Sequence, residues 1–167
     1  MGGYAHFPGD STSGAELLRL ADEYRRAALA LASLERQDTS ISRSPYRFAA
    51  IHATELYLSA LLLHFGDTPA VVRELRHDLV ARTGRALARG LVLRRRTDAH
   101  LRTMAASHEY QISRYAPELG ATLSQVNRLA ATLEEVSAKT RAIICEGENP
   151  TKIPGRPGVS SGSSKAA

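Results

Sequence analysis

The chain has 167 residues, no Trp, a single Cys, and 22 Lys+Arg against 17 Asp+Glu for a net charge of +5. That length suits one domain with a substantial core, and the lone Cys145 excludes an internal disulfide framework and fits a reducing compartment. Aromatics make up only 5% and Ala and Leu dominate, which favours helix over sheet, while nearly all the base is Arg, with Lys only at 139, 152 and 165. Arg forks carboxylates and phosphates, so an anionic partner is expected.

Residues 1–12 bear Gly and Pro and are expected to be loose. They carry no apolar run of signal-peptide length, so the chain is expected in the cytoplasm. Ser13-Gly-Ala-Glu16 reads as a capping box and opens a helix to about Glu35. Leu17, Leu20, Ala21, Tyr24, Ala28, Leu31 and Leu34 recur at steps of three or four, the mark of an amphipathic bundle helix. The polar connection 37–44 is short enough to turn the next helix back antiparallel.

That next helix, 45–65, is the centre of the chain. Ser44 suits an N-cap, Pro45 the first turn and Gly66 a left-handed exit. Its apolar residues cover nearly the whole circumference, as expected of a helix packed on several sides. His52, Glu55 and His64 argue against a membrane span. Phe48, His52, Glu55, Ser59 and Leu62 share one edge, and a carboxylate in that setting needs a cationic or N–H partner on a neighbouring helix. His52-x-x-Glu55 has metal-ligand spacing, but no second matching pair exists, so no metal and no cofactor are expected.

Asp67-Thr68-Pro69 starts a further helix, broken near Arg76-His77-Asp78, after which Asp78 caps a segment 79–89 ended by Gly90. Arg82, Arg85 and Arg89 stack on one face of that segment, and Arg94, Arg95 and Arg96 follow in the connection. Thr97 is then expected to cap a helix reaching Tyr115, stopped by Pro117 and Gly120. Thr122-Leu-Ser-Gln125 reads as another capping box for a last helix to about Cys145. The Gly/Pro/Ser-rich tail 146–167 is expected to be disordered, leaving 13–145 as the folded domain. Residues 73–102 hold nine Arg against Glu74, Asp78 and Asp98, a surplus that exceeds the net charge of the whole protein. Such a concentration fits a phosphate-bearing partner.

Three pieces of the sequence, in order, resemble the HEPN domain family of nucleotide- and RNA-associated helical domains. They are Ala53-Thr-Glu55, His77-Asp78-Leu79 and Tyr110-Gln-Ile-Ser-Arg114-Tyr115. The resemblance covers roughly residues 15–118 and implies an all-α antiparallel bundle of about five helices, with Glu55, His77, Asp78, Arg114 and Tyr115 as its signature polar residues. Ser59 stands where the family often has Lys, so Glu55 must look to His77, Arg76 or another Arg; Ala116 stands where the family has Pro.

The Arg concentration and the resemblance together point to a binding module that engages RNA, a nucleotide or a partner protein through Arg82, Arg85, Arg89, Arg94, Arg95 and Arg96. A homodimer is expected, with a nucleotidyltransferase-like or antitoxin protein as partner, and the polar residues of helix 45–65 predict no membrane association. A second function follows from Arg102-x5-His108-x-Tyr110, which resembles the Arg-x(4–6)-His of the family's metal-independent endoribonucleases. There His108 would move a proton at a ribose 2′-OH, Arg102 would neutralise the phosphate, and Tyr110 would complete the run. On a straight helix those two side chains lie about 120° apart, so a joint site needs a dimer axis or a helix break. A third function is a structural interaction protein whose Arg face meets an acidic partner.

Overall fold

Ser13 Oγ accepts a hydrogen bond from the Glu16 N–H at 3.2 Å, and Glu16 accepts one from the Ser13 N–H at 2.8 Å, so the expected capping box opens α1 (Gly14–Ala32). The computed structural model describes residues 7–34 and 40–148. After α1 come α2 (Ser44–His64), α3 (Pro69–Glu74), α4 (Leu79–Ala88), α5 (Arg95–Ala106), α6 (Glu109–Tyr115) and α7 (Val126–Glu148), with 3₁₀ turns at Ser40–Arg43 and Pro117–Thr122. Among the described residues the protein is all-α, without strands. The end of the first helix at Glu35, residues 37–39 of the connection, residues 1–6 of the N-terminus and residues 149–167 of the tail lie outside the described residues.

Fourteen of the 21 residues of α2 are buried, including Ile51, Tyr57, Leu58, Leu61 and Leu62. It is the central helix, packed by α1, α4, α6 and α7. Its N-cap is Arg43 rather than Ser44, because the 3₁₀ turn leads directly into the first helical turn. It ends in a Schellman motif: Gly66 has φ +91°, the Asp67 N–H reaches Leu62 O at 3.0 Å and the Gly66 N–H reaches Leu63 O at 3.0 Å.

Helix α1 runs antiparallel to α2, since Gly14 at its start lies against Ala60 and His64 near the end of α2. Helix α7 runs parallel to α2. Arg47 bonds Ser124 O, Tyr57 meets Arg141, and His64 meets Gly147, so both chains advance together. A purely antiparallel bundle is therefore not what forms. Tyr57, fully buried, donates to Asp22 at 2.5 Å, and Arg141 bonds the same carboxylate at 2.6 Å, tying α1, α2 and α7. Burial and then the Asp22 bond push the Tyr57 hydroxyl up to about 12, with Arg141 opposing them.

The expected stripe of α1 is half a face off at two places. Leu18, Ala21 and Ala28 are buried, whereas Leu20 and Leu34 are exposed. The expected helix 97–115 is also two helices, divided at His108, whose φ of +54° is left-handed. A left-handed non-Gly residue costs about 1–2 kcal/mol. What outweighs it is Glu109, only 1% exposed, which accepts from the Ser124 N–H at 2.8 Å and the Ser124 hydroxyl at 3.0 Å, 3.6 Å from Arg47 Nη1. Hydrogen bonds to a charged group contribute about 1.5–3 kcal/mol each. Because Ser124 serves Glu109 and Thr122 donates to Leu119 O, the expected 122–125 capping box does not form; α7 begins with the Leu129 N–H on Gln125 O.

The glycines of two helices make a paired prediction. A Cβ on Gly14 would meet Ala60 O at 2.9 Å and His64 N at 3.1 Å, both backbone, whereas a Cβ on Gly84 in α4 meets nothing within 4 Å. Gly84→Ala is expected to stabilise by up to about 1 kcal/mol, as the helix propensities dictate. Gly14→Ala is expected to destabilise by about 1–3 kcal/mol through forced separation of α1 from α2. Urea unfolding of both variants checks the opposite signs; two stabilised proteins would mean that α1 does not pack this closely.

Candidate functional site

Glu55 sits midway along α2 with its side chain 5% exposed, and its partner is His77. Oε2 lies 3.2 Å from His77 Nδ1 and 3.5 Å from His52 Nδ1. Of the partners left open in the sequence, the structure selects His77, delivered by the short segment between α3 and α4. Arg76 takes a left-handed φ of +46° there, which reverses the chain and lets the Asp78 N–H bond Leu75 O. Asp78 itself caps α4, accepting the Ala81 N–H at 2.9 Å, so this residue holds a helix start.

The Tyr110 ring stacks on His77 at 4.3 Å between centroids, and Arg114 lies over the rings of Phe48, Tyr110 and Tyr115 at 4.7–5.5 Å. Burial, followed by the negative charge of Glu55, raises the Tyr110 hydroxyl above its ordinary value. Glu55, His77, Tyr110 and Arg114, far apart in sequence, thus form one cluster, while Tyr115 projects outward at 70% exposure. Beside the cluster lies a cavity of about 440 Å³, walled by Arg76, His77, Asp78, Met104, His108 and Tyr110. Both left-handed non-Gly residues among the described residues, Arg76 and His108, line it.

Arg102 is not among that lining. It is exposed on α5 and bonds Asp98 one turn back at 3.0 Å, which raises its pKa further. The helix break therefore takes His108 and Tyr110 to the cavity and leaves Arg102 outside it.

The Arg residues of α4 do not form an open cationic face. Arg82 is 4% exposed and donates to Ser59 Oγ at 2.6 Å and to Arg76 O. Arg85 bonds Asp67 at 2.6 and 3.1 Å, and Arg89 bonds the same carboxylate at 2.5 Å and Phe65 O at 2.8 Å. The Arg85 bond, working against burial, holds the Asp67 carboxyl below its ordinary value. Asp67 is the clasp of two helices, and Thr68 caps α3 in its place. A hydrophobic residue count gives no warning of this, because Asp67 follows a helix exit and looks like a loop residue.

Arg94, Arg95 and Arg96 are exposed and form no side-chain ion pair among the described residues. They occupy the N-cap and first two positions of α5, where the helix dipole already places positive potential. Thr97, expected from sequence to be the cap, is not. It is 1% exposed and donates to Glu135 Oε2 at 2.5 Å, while Oε1 of the same residue accepts the Arg94 N–H at 2.7 Å. The cap of α5 thus comes from α7.

His100 is buried with Nδ1 2.8 Å from Thr132 Oγ1, its pKa lowered by burial, and His64 is exposed. Among the described residues no three His, Cys, Asp or Glu side chains are grouped to hold a metal ion.

Comparison with known proteins finds no match to any family model, curated protein or solved structure. Fold and site define an all-α protein built on one buried helix, and among the described residues no helix is long and apolar enough to cross a membrane.

Proposed function

We propose that the protein is a HEPN-like helical module that binds single-stranded RNA through phosphate contacts. The observation that carries this reading is the run Arg94–Arg96: three exposed guanidiniums without ion-pair partners among the described residues, at a helix N-terminus that repels them. Three such charges raise each other's cost unless an anion joins them. The cavity at His77 and His108 adjoins the other end of α5, about 18 Å away for its 12 residues. A mononucleotide would engage one of these places; a chain of nucleotides reaches both, which favours RNA over a free nucleotide.

The test is binding of a fluorescent single-stranded RNA over a range of salt. Replacing Arg94, Arg95 and Arg96 together by Gln is expected to lower affinity for every sequence alike. The slope of log affinity against log salt should fall by roughly two units, at about 0.7 per phosphate. Arg85→Gln with Arg89→Gln is expected to change it by less than one such unit, because both residues already serve Asp67. No salt-dependent RNA binding by the wild type would leave the Arg run to an acidic protein partner.

A second reading, endoribonuclease activity, is favoured by the cavity that His77, His108 and Tyr110 share. In it His108 carries the proton transfer and Arg76, rather than Arg102, stands where a phosphate would lie. RNA cleavage by the wild type, abolished in His108→Ala and retained in Arg102→Gln, would establish it.

A further inference from the structure

A second cavity, open to solvent and of about 310 Å³, shares Arg76 and His77 with the first and is bounded by residues 7–12, α1, α2, α3 and α4. One wall is aliphatic, with Leu17, Leu63, Pro69 and Val72; Arg73, Arg76 and His77 line the rest. Its floor is polar, because Ser59 and Arg82 contribute to it. Arg82 is 96% buried, yet no carboxylate of the described residues forms an ion pair with it; its acceptors are the Ser59 hydroxyl and the Arg76 carbonyl, and Nε has no hydrogen-bond partner among the described residues. Two hydrogen bonds occupy two of a guanidinium's five N–H donors. A buried charge held this way is costly unless something completes it. Burial lowers the Arg82 pKa, and the more distant Glu55 and Asp78 only partly offset this.

We propose that this cavity binds a small monocarboxylate with an apolar body, its carboxylate taken by Arg82. The guanidinium fork matches a carboxylate's two oxygens, and one negative charge balances the buried Arg82, while the exposed Arg76 and His77 keep their contact with water. A phosphate dianion would bring a second charge toward buried Glu55, whose Oε1 is itself without a hydrogen-bond partner. The aliphatic wall of Leu17, Leu63, Pro69 and Val72 receives an apolar body. The volume equals that of about ten water molecules, which suits an acid of about ten non-hydrogen atoms. The mouth is formed by residues 7–12, a stretch expected to be loose from sequence. Its described part is clasped instead: Arg73 bonds Asp10 at 2.7 Å and lies 4.5 Å over the Phe7 ring.

The probe is phenylacetate, titrated into the full chain by calorimetry and followed by its effect on the melting temperature. Its neutral isostere phenylacetamide and inorganic phosphate serve as comparisons. Saturable binding of phenylacetate with at least tenfold weaker binding of both comparisons is expected. Leu17→Trp, which fills the cavity without touching Arg82, should abolish binding while the far-ultraviolet spectrum is unchanged, and Arg82→Met should abolish it too. Glu55→Gln should tighten binding several-fold, since it removes the negative charge nearest the site; a merely structural role for Arg82 predicts no such gain. No binding by phenylacetate up to about 10 mM, a range that detects even millimolar affinity, overturns the proposal. So does equal binding of the amide, preferential binding of phosphate, or binding that survives Leu17→Trp. RNA binding is measured separately and its outcome leaves this site untouched.

Discussion

Glu135→Ala is expected to cost about 3 kcal/mol of folding stability at pH 7, and the loss should disappear in acid. The carboxylate is 7% exposed and is held by the Thr97 hydroxyl, the Arg94 N–H and, at 2.9 Å, Lys139. Burial raises its pKa, but the Thr97, Arg94 and Lys139 contacts more than reverse this and bring it from 4.5 to about 2. A folded-state pKa below the unfolded one means stability that is fully present above pH 4.5 and lost as pH falls toward 2. At 1.36 kcal/mol per unit, that depression corresponds to about 3 kcal/mol. Urea unfolding of wild type and variant from pH 7 downward should show the difference constant to about pH 5, then shrinking to little by pH 2. A difference independent of pH would mean that packing, not the carboxylate's charge, holds α5 to α7.

This cap also shows where reading the sequence stops. Local signals were legible: the Ser13–Glu16 box, Asp78 before α4, Gly66 and Gly90 at left-handed exits, and the all-round apolar pattern of α2. Each depends on residues within one or two turns. Thr97 was expected to cap α5 because no nearer candidate exists, but Glu135 caps it from 41 residues away. The break at His108 was illegible for the same reason, since it answers Glu109's bonds to Ser124 and its pairing with Arg47 on another helix. Net charge misled most about the site. The Arg surplus of 73–102 looked like one basic surface, yet Arg85 and Arg89 are matched by Asp67, Arg73 by Asp10 and Arg102 by Asp98, and Arg82 is inside. Composition counts charges, whereas pairing decides which of them face a ligand. On the surface, Arg76 and Arg94–Arg96 remain of that surplus without an ion pair among the described residues.

A partner for Glu55, by contrast, was expected from the cost of burying a carboxylate, and the energetics of that pair make the second large prediction. Glu55→Ala is expected to destabilise by about 3 kcal/mol, because it strips His77 of its acceptor and removes the nearest negative charge from buried Arg82. Glu55→Gln keeps the shape and one acceptor oxygen for His77, and loses only the charge, so about 1–2 kcal/mol is expected. The two contributions separate in a double-mutant cycle. If Glu55 stabilises the Arg82 guanidinium, Glu55→Ala should cost at least 1 kcal/mol less in an Arg82→Met background than in the wild type, since Met leaves no buried charge to strand. Urea unfolding of the four proteins at one pH measures the coupling. Additive effects would place the entire role of Glu55 at His77, and a Glu55→Ala variant as stable as wild type would mean that this edge of α2 meets water.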